Sequence, residues 1–242
     1  RFVRDASHQL RTPLAVLKIQ VQSAQRGDVP VAQAFAEIGA TVERATQLAN
    51  QMLSLAKVGQ LRQQETAGLP CAWDDIVREI ALDLSPLLAE KNLDFELLAT
   101  QGVDIDAHAW MLRELTRNLL HNAVHYSPAA GWLRVQLTLQ PEPDGQGSLA
   151  QLCISDSGPG ISEELAQRLF QPFSAGDLRA GSGLGLAICH EIVQALGGQL
   201  ELRNRAAVQG TAPAGLDAVV TLRCSDASMF HATLRGTSAP PI

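Results

Sequence analysis

Apolar residues recur in steps of three and four from the start of the chain. Val3, Ala6, Leu10, Leu14, Leu17, Val21 and Ala24 trace the stripe of an amphipathic helix with coiled-coil-like spacing. Gly27 stops it. Asp28 and Pro30 supply a cap and a first-turn proline for a second helix, whose stripe runs Val31, Phe35, Ile38, Val42, Ala45, Ala49, Met52 and Ala56. Each helix is about eight turns long at about 3.6 residues per turn. Two such helices on a short connection predict an antiparallel hairpin. A two-helix layer leaves apolar surface in water, so the pattern also predicts dimerisation into a four-helix bundle.

Residues 57–72, KVGQLRQQETAGLPCA, lose this period and read as a linker. Beyond them the pattern predicts helices over 73–90, 107–125, 162–169 and 184–196, and strands over 93–100, 132–140, 149–156, 199–204 and 216–224. The turn-rich PEPDGQGS signals a hairpin between two of the strands. The mixture predicts an α+β sandwich on a largely antiparallel or mixed sheet. The chain then divides into a helical domain at 1–58, a linker at 59–72, the α+β domain at 73–225 and a C-terminal tail at 226–242.

Composition narrows the function classes. With 46% hydrophobic residues in 242, the chain can build one large or two modest globular cores. Nineteen basic against 25 acidic residues give a net charge of −6 without a long run of either sign, which argues against a nucleic-acid or anionic-membrane footprint. Cys71, Cys153, Cys189 and Cys224 lie far apart with no CxxC pair, against a zinc site or disulfide framework and in keeping with a reducing compartment. No stretch approaches the about 20 apolar residues that span a bilayer, and no signal peptide is visible. The opening RFVRDAS is already helical in pattern and carries no initiator Met, so the chain is expected to be part of a longer protein.

Three stretches carry candidate chemistry. In DASHQLRTPL, His8 lies about 200° around the helix from both Ala6 and Leu10, so it faces away from the apolar stripe. Asp5 and Thr12 share its face. Pro13 removes a helical hydrogen bond to Gln9 and loosens the backbone beside the histidine. A neutral exposed imidazole is a competent nucleophile toward a large partner, although an exposed surface histidine is also often silent.

In ELTRNLLHNAVHYSP, Leu112, Leu115, Leu119 and Ala123 form a buried stripe, while Glu114, Asn118, Asn122 and His125 line another face. Two carboxamides one turn apart can present oxygens to a hard cation and amide hydrogens to phosphate, or be an ordinary solvated face. Asp156 ends an apolar strand before SGPG. There a carboxylate can accept from an exocyclic amine, and Gly158 and Gly160 permit close approach to the backbone; a plain Asp turn is the alternative. In GSGLGLAICHEIVQALGG, Gly181, Gly183 and Gly185 precede and open an apolar helix, exposing amides to a phosphate. The loop FQPFSAGDLRA stands before them where a dinucleotide fold needs a strand, and no Walker lysine follows, so Rossmann and P-loop readings fail. That loop could close over a ligand.

The order HQLRTPL, NLLHNAVHYSP, DSGPG, FQPF, GSGLGLAI resembles the bacterial two-component sensor histidine kinases over about residues 2–204. The opening RFVRDASHQLRTPLAVLK is similar to the sensor kinases of tricarboxylate transport systems. The resemblance implies a dimerising phosphoacceptor hairpin followed by an ATP-binding domain of the gyrase, Hsp90, histidine kinase and MutL type. By it His8 is the phosphorylated residue, flanked by Gln9 and Thr12. Asn122 ligates Mg²⁺ with help from Asn118, His125 and Tyr126 flank the nucleotide, and Asp156 holds the adenine amine beside Gly158 and Gly160. Gly181, Gly183, Leu184 and Gly185 shape the phosphate lid. It further implies ATP and Mg²⁺ as cofactors, a homodimer, a response regulator receiver domain as partner, no nucleic acid, and an upstream transmembrane sensor region. The chain is then the cytoplasmic portion of a protein anchored in the bacterial inner membrane.

Departures qualify the match. Gln9 stands where the family usually has Glu or Asp, and a neutral amide can orient an imidazole but cannot act as its base. Thr12 occupies the position that holds a water for dephosphorylating the regulator. His121 and His125 stand where acidic and lysine residues are common, and GTAPAGLDAVV is longer than the usual turn. The competing readings are a catalytically impaired ATP-binding dimeric scaffold and an ATPase that hydrolyses without transfer.

Overall fold

The computed structural model describes residues 2–64, 68–142, 145, 147–173, 183–205 and 215–225. It divides into two compact units, Arg1–Gln60 with Leu169–Ile188 and Leu61–Arg168 with Cys189–Ile242. The first is built on α1 (Phe2–Arg26) and α2 (Val31–Gln64). Gly27 ends α1 with φ +74° and open space where a Cβ would stand. Its conformation, not crowding, calls for glycine. Its amide donates to Ala24 O at 3.1 Å and that of Asp28 to Ser23 O at 3.1 Å, the paired bonds of a Schellman end. The Asp28 carboxylate accepts from Arg26 at 3.0 Å and Ser23 at 3.4 Å. Asp28 therefore closes the first helix, where the sequence suggested a cap for the second, and α2 starts directly after Pro30.

The apolar stripe splits on folding. Ala34, Thr41, Leu48 and Met52 are buried, whereas Leu14, Val31, Phe35 and Val42 of the predicted seam are 58%, 69%, 70% and 45% exposed. One neighbouring helix covers only part of a stripe about 100° wide. The segment expected to be a linker is helical as far as Gln64. It lacks apolar periodicity, but Lys, Gln, Leu and Arg are strong helix formers, and Gly59 costs only about 1 kcal/mol.

The second unit follows as β1 (Leu69–Ala72), α3 (Trp73–Asp83), α4 (Ser85–Glu90), β2 (Asp94–Ala99), β3 (Asp104–Ala107), α5 (Ala109–Tyr126), β4 (Trp132–Pro141), β5 (Ser148–Asp156), α6 (Glu163–Ala166), α7 (Gly185–Ala195, begun in the first unit), β6 (Gln199–Asn204) and β7 (Leu216–Arg223). The helix expected at 73–90 breaks at Leu84, because Pro86 has no N–H to continue it and fits the first turn of α4. Five strands form a mixed sheet in the order β2-β4-β5-β7-β6, with β2 parallel to β4 and the other pairs antiparallel. The α+β sandwich is as expected. The small antiparallel sheet of β1 with β3 has no sequence counterpart, its strands being only four residues long.

Strand β4 alternates by period two: Leu133, Val135 and Leu137 are buried while Trp132, Arg134 and Gln136 are exposed. With Leu152, Ile154, Val220 and Leu222 they form the sheet's core face. Helices α3 and α5 pack on one another and against β2 and β5, burying Val77, Ile80, Leu112, Leu115, Leu119 and Leu120. At the centre, Trp73 Nε1 donates to Thr116 Oγ1 at 3.1 Å, which satisfies two buried polar groups. Leu115 is fully buried, so Leu115→Ala is expected to destabilise the chain by about 2–5 kcal/mol, read as a lower urea midpoint at unchanged m-value.

Candidate functional site

Within the first unit, His8 is exposed on α1 with Gln9 half-buried and Thr12 exposed beside it. Pro13 lies inside the helix and leaves the Gln9 carbonyl without its usual amide donor. One turn earlier the Thr12 hydroxyl donates to His8 O at 3.5 Å. The imidazole thus stands toward solvent on a stretch of backbone loosened on its C-terminal side, as the sequence led us to expect. Gly183 (φ +67°), Leu184 and Gly185 also belong to this unit. Gly183 O accepts from the amide of Phe173 at 3.1 Å, and the fully buried Leu184 accepts from Ile188 at 2.9 Å, anchoring the start of α7. Gly181 lies outside the described residues, as do 206–214 and the tail 226–242.

In the second unit, α5 presents its polar face opposite the core stripe. Asn118 Nδ2 donates to both the carbonyl and Oε1 of Glu114 at 2.9 Å, which turns the amide inward and leaves the carboxamide oxygen and the carboxylate as hard donors. Asn122, one turn on, is half-buried, and its side chain bonds to no described residue. An amide oxygen beside a carboxylate suits Mg²⁺, which is held through one or two such groups and a substrate's phosphates. Among the described residues no group of three or more His, Cys, Asp or Glu could hold a metal ion by itself.

The C-terminal end of α5 is fixed by a residue that sequence reasoning missed. Lys91 Nζ donates to Val124 O at 2.8 Å, His125 O at 2.6 Å and Ser127 O at 3.0 Å. A cation is thereby placed on the negative end of the helix. Ser127 adds a hydroxyl bond to Ala123 O at 2.8 Å. His125 and Tyr126, both exposed, meet edge-to-face with centroids 5.0 Å apart. On the other flank, Arg117 bonds Asp83 at 2.7 Å and Arg113 pairs with Glu79, tying α5 to α3.

Asp156 ends β5 at 4% exposure. Its Oδ1 accepts from the amides of Gly158 at 2.8 Å and Leu216 at 3.3 Å, leaving the second carboxylate oxygen for a ligand. Burial pushes this carboxyl above its ordinary value, with the two amide bonds acting in the opposite sense. A Cβ at Gly158 would lie 2.9 Å from both Asp156 Oδ1 and Tyr126 O, so the turn after β5 and the end of α5 come together. Gly160 has φ +74°, and a Cβ there would meet Asn204 Oδ1 at 2.7 Å. Asn204 holds this loop by accepting from Ile161 N at 2.8 Å and donating to Ile161 O at 2.7 Å. Arg205 donates to Asp156 O, lies 4.3 Å from the Trp132 ring centre and sits 3.3 Å from Asp217. Gly215 makes room for it. Neither Asn204 nor Arg205 carries a local sequence signal.

Thiol chemistry is not prepared at Cys71, Cys189 or Cys224. Burial raises the pKa of each, to about 11 for Cys224. The second unit instead brings together a buried carboxylate able to accept from an amine, two glycines beside it, and a helix face whose carboxamide oxygens could meet a hard cation.

Comparison with known proteins gives two family matches. Residues 1–61 match the His Kinase A (phospho-acceptor) domain, and residues 108–226 match the Histidine kinase-, DNA gyrase B-, and HSP90-like ATPase. Sensor protein QseC of Escherichia coli O157:H7 is 33% identical over 211 residues, covering 84% of this chain and 44% of that protein. The chain thus spans less than half the length of that relative. Among solved structures, the Acinetobacter baumannii histidine kinase AdeS superposes with a TM-score of 0.71 at 24% identity, over 90% of this chain and 98% of that one. Histidine kinase ThkA in complex with response regulator protein TrrA gives 0.69 at 16% identity, over 92% and 61%. No described helix is long and apolar enough to cross a membrane.

Because the raised Asp156 holds its proton more tightly folded than unfolded, stability falls as pH climbs from the ordinary value of 3.8 toward the raised one. Asp156→Asn removes that penalty. The variant is expected to be at least as stable as its parent at neutral pH, with a flatter acid-side profile of urea midpoints. A clear loss of neutral stability would show that the charged form is favoured in the fold.

Proposed function

This chain belongs to the bacterial two-component sensor histidine kinases, and we propose that it phosphorylates its own His8 from ATP and passes the phosphoryl group to a response regulator aspartate. The observation that carries the reading is one chain holding both an exposed imidazole on a proline-loosened helix and a separate domain built around Asp156 and Asn122. Phosphoryl transfer needs positioning and charge neutralisation more than covalent help from the protein. A surface nucleophile and a nucleotide carrier are sufficient parts.

In this reading Asp156 accepts the adenine amine, Gly158 and Gly160 admit the base against backbone, and Tyr126 and His125 flank the nucleotide. Asn122, aided by Asn118, would hold Mg²⁺, which neutralises phosphate charge when bound. Gly181, Gly183, Leu184 and Gly185 form the phosphate lid. A His8 nitrogen attacks the γ-phosphorus, the bond to the ADP oxygen breaks, and the imidazole proton is lost. Gln9 orients the ring without serving as a base, and Thr12 positions a water for the opposing activity, hydrolysis of the regulator's aspartyl phosphate to free phosphate.

The exposed residues Leu14, Val31, Phe35 and Val42 support a homodimer in which a second hairpin completes a four-helix bundle. ThkA was solved with a response regulator; for this chain we assign the corresponding partner to the α1 surface around His8. The domain division at 1–58, 59–72 and 73–225, with a C-terminal tail at 226–242, belongs to the same proposal. So do an upstream membrane-anchored sensor region and a cytoplasmic position for the present chain.

With ATP labelled at the γ-phosphate, the chain is expected to acquire acid-labile, alkali-stable label. His8→Ala should remove it entirely while leaving nucleotide binding intact. Asn122→Ala should slow labelling at least about tenfold. Nucleotide binding without any label on the parent chain would favour a scaffold, and release of free phosphate without label would favour a hydrolase.

A further inference from the structure

His121 has no part in the reading above and His125 only a flanking one, yet the two share a face of α5 one turn apart. Both side chains are exposed, and their rings are nearly parallel, 8° apart in plane with centroids separated by 6.4 Å. Neither ring nitrogen bonds to a described residue. Imidazole is a ligand for nickel, copper and zinc ions, and a pair at i and i+4 is the spacing that helical metal sites use. An imidazole lone pair lies in its ring plane and metal–nitrogen bonds are about 2.0–2.1 Å long, so the two nearly parallel rings must turn about their χ angles before one ion can meet a nitrogen of each. Exposed side chains can rotate closer at small cost.

The nearby cations have partners of their own. Arg117 is paired with Asp83 at 2.7 Å, and the Lys91 ammonium is enclosed by three carbonyls at 2.6–3.0 Å. Once one imidazole binds an ion, the other is held at high effective concentration, a chelate gain of about 10²-fold over a lone surface histidine. Asn122 is the next residue after His121 and lies on the same turn.

We propose that His121 and His125 chelate a late first-row transition-metal ion, water completing its coordination, and that this ion opposes nucleotide binding at the adjoining Asn122. The site itself stands on the i, i+4 spacing and the exposure of the two side chains; the antagonism rests on the nucleotide reading given above. A hydrated divalent ion on this turn crowds and repels the magnesium-bearing phosphates that Asn122 would receive.

The test titrates Ni²⁺ alone, by calorimetry, into the parent chain, His121→Ala and His125→Ala. Binding of a fluorescent ATP analogue with Mg²⁺ is then measured with and without Ni²⁺. One Ni²⁺ per parent chain is expected, weakened about 10²-fold in either variant. Added Ni²⁺ should weaken analogue binding severalfold in the parent and leave it unchanged in His121→Ala. Equal Ni²⁺ affinity in all three chains overturns the site. Histidine-dependent Ni²⁺ binding with unaltered analogue affinity overturns the antagonism. If the parent binds no analogue even without Ni²⁺, the nucleotide reading fails and the antagonism with it, while the titration still decides the site.

Discussion

The second unit depends on α5 being bound along one face and open along the other. Leu112, Leu115, Leu119 and Leu120 give up most of their solvent contact to the sheet and α3, and burial of each such side chain is worth about 1.5–3 kcal/mol. That packing leaves no rotational freedom to the helix, so the residues between the leucines must point where they do. Glu114, Asn118 and Asn122 form an ordered polar row because the core has fixed their backbone. The ion pairs of Arg113 and Arg117 add lateral restraint at the surface, where solvent screens them strongly.

A second economy operates at the end of β5. A strand that alternates buried Ala150, Leu152 and Ile154 brings Asp156 to the same side, so the period that builds the core also carries a carboxylate inside. Its cost is reduced by two amide donors and by Arg205 on its carbonyl. The glycines that follow keep side chains out of the space around it. Stability and ligand chemistry here compete for one residue.

Most of the fold was legible because its elements are long and periodic. The two opening helices, the helix of α5 and the β4–β5 hairpin each repeat a pattern over enough residues to be read. The polar row of α5 and His8 were legible because each stands out of phase with an apolar repeat, and Asp156 because a carboxylate ends an apolar strand in its buried phase, just before a glycine turn. What was not legible is either short or distant. β1 and β3 have too few residues for a period, and α2 runs beyond its predicted apolar stripe on one fully buried side chain, Val58, and strong helix formers. Asp28 turned back onto α1 because Arg26 and Ser23 lie within reach. Asn204 and Arg205 act on residues more than 40 positions away, and nothing local announces that.

The Lys91 clamp has a consequence for the order in which the molecule assembles. Its three acceptors are 33 to 36 residues downstream, and three residues after it the parallel pairing of β2 with β4 begins at Asp94 and Trp132. The last turn of α5 therefore cannot be finished by its own sequence; it waits for a non-local strand pairing, the slow kind of event in folding. Closing that edge of the sheet and completing that helix end form one cooperative unit, so a chain in which β2 has not yet docked has most of its hydrophobic core but an unfinished end to the helix that carries Asn122 and Tyr126.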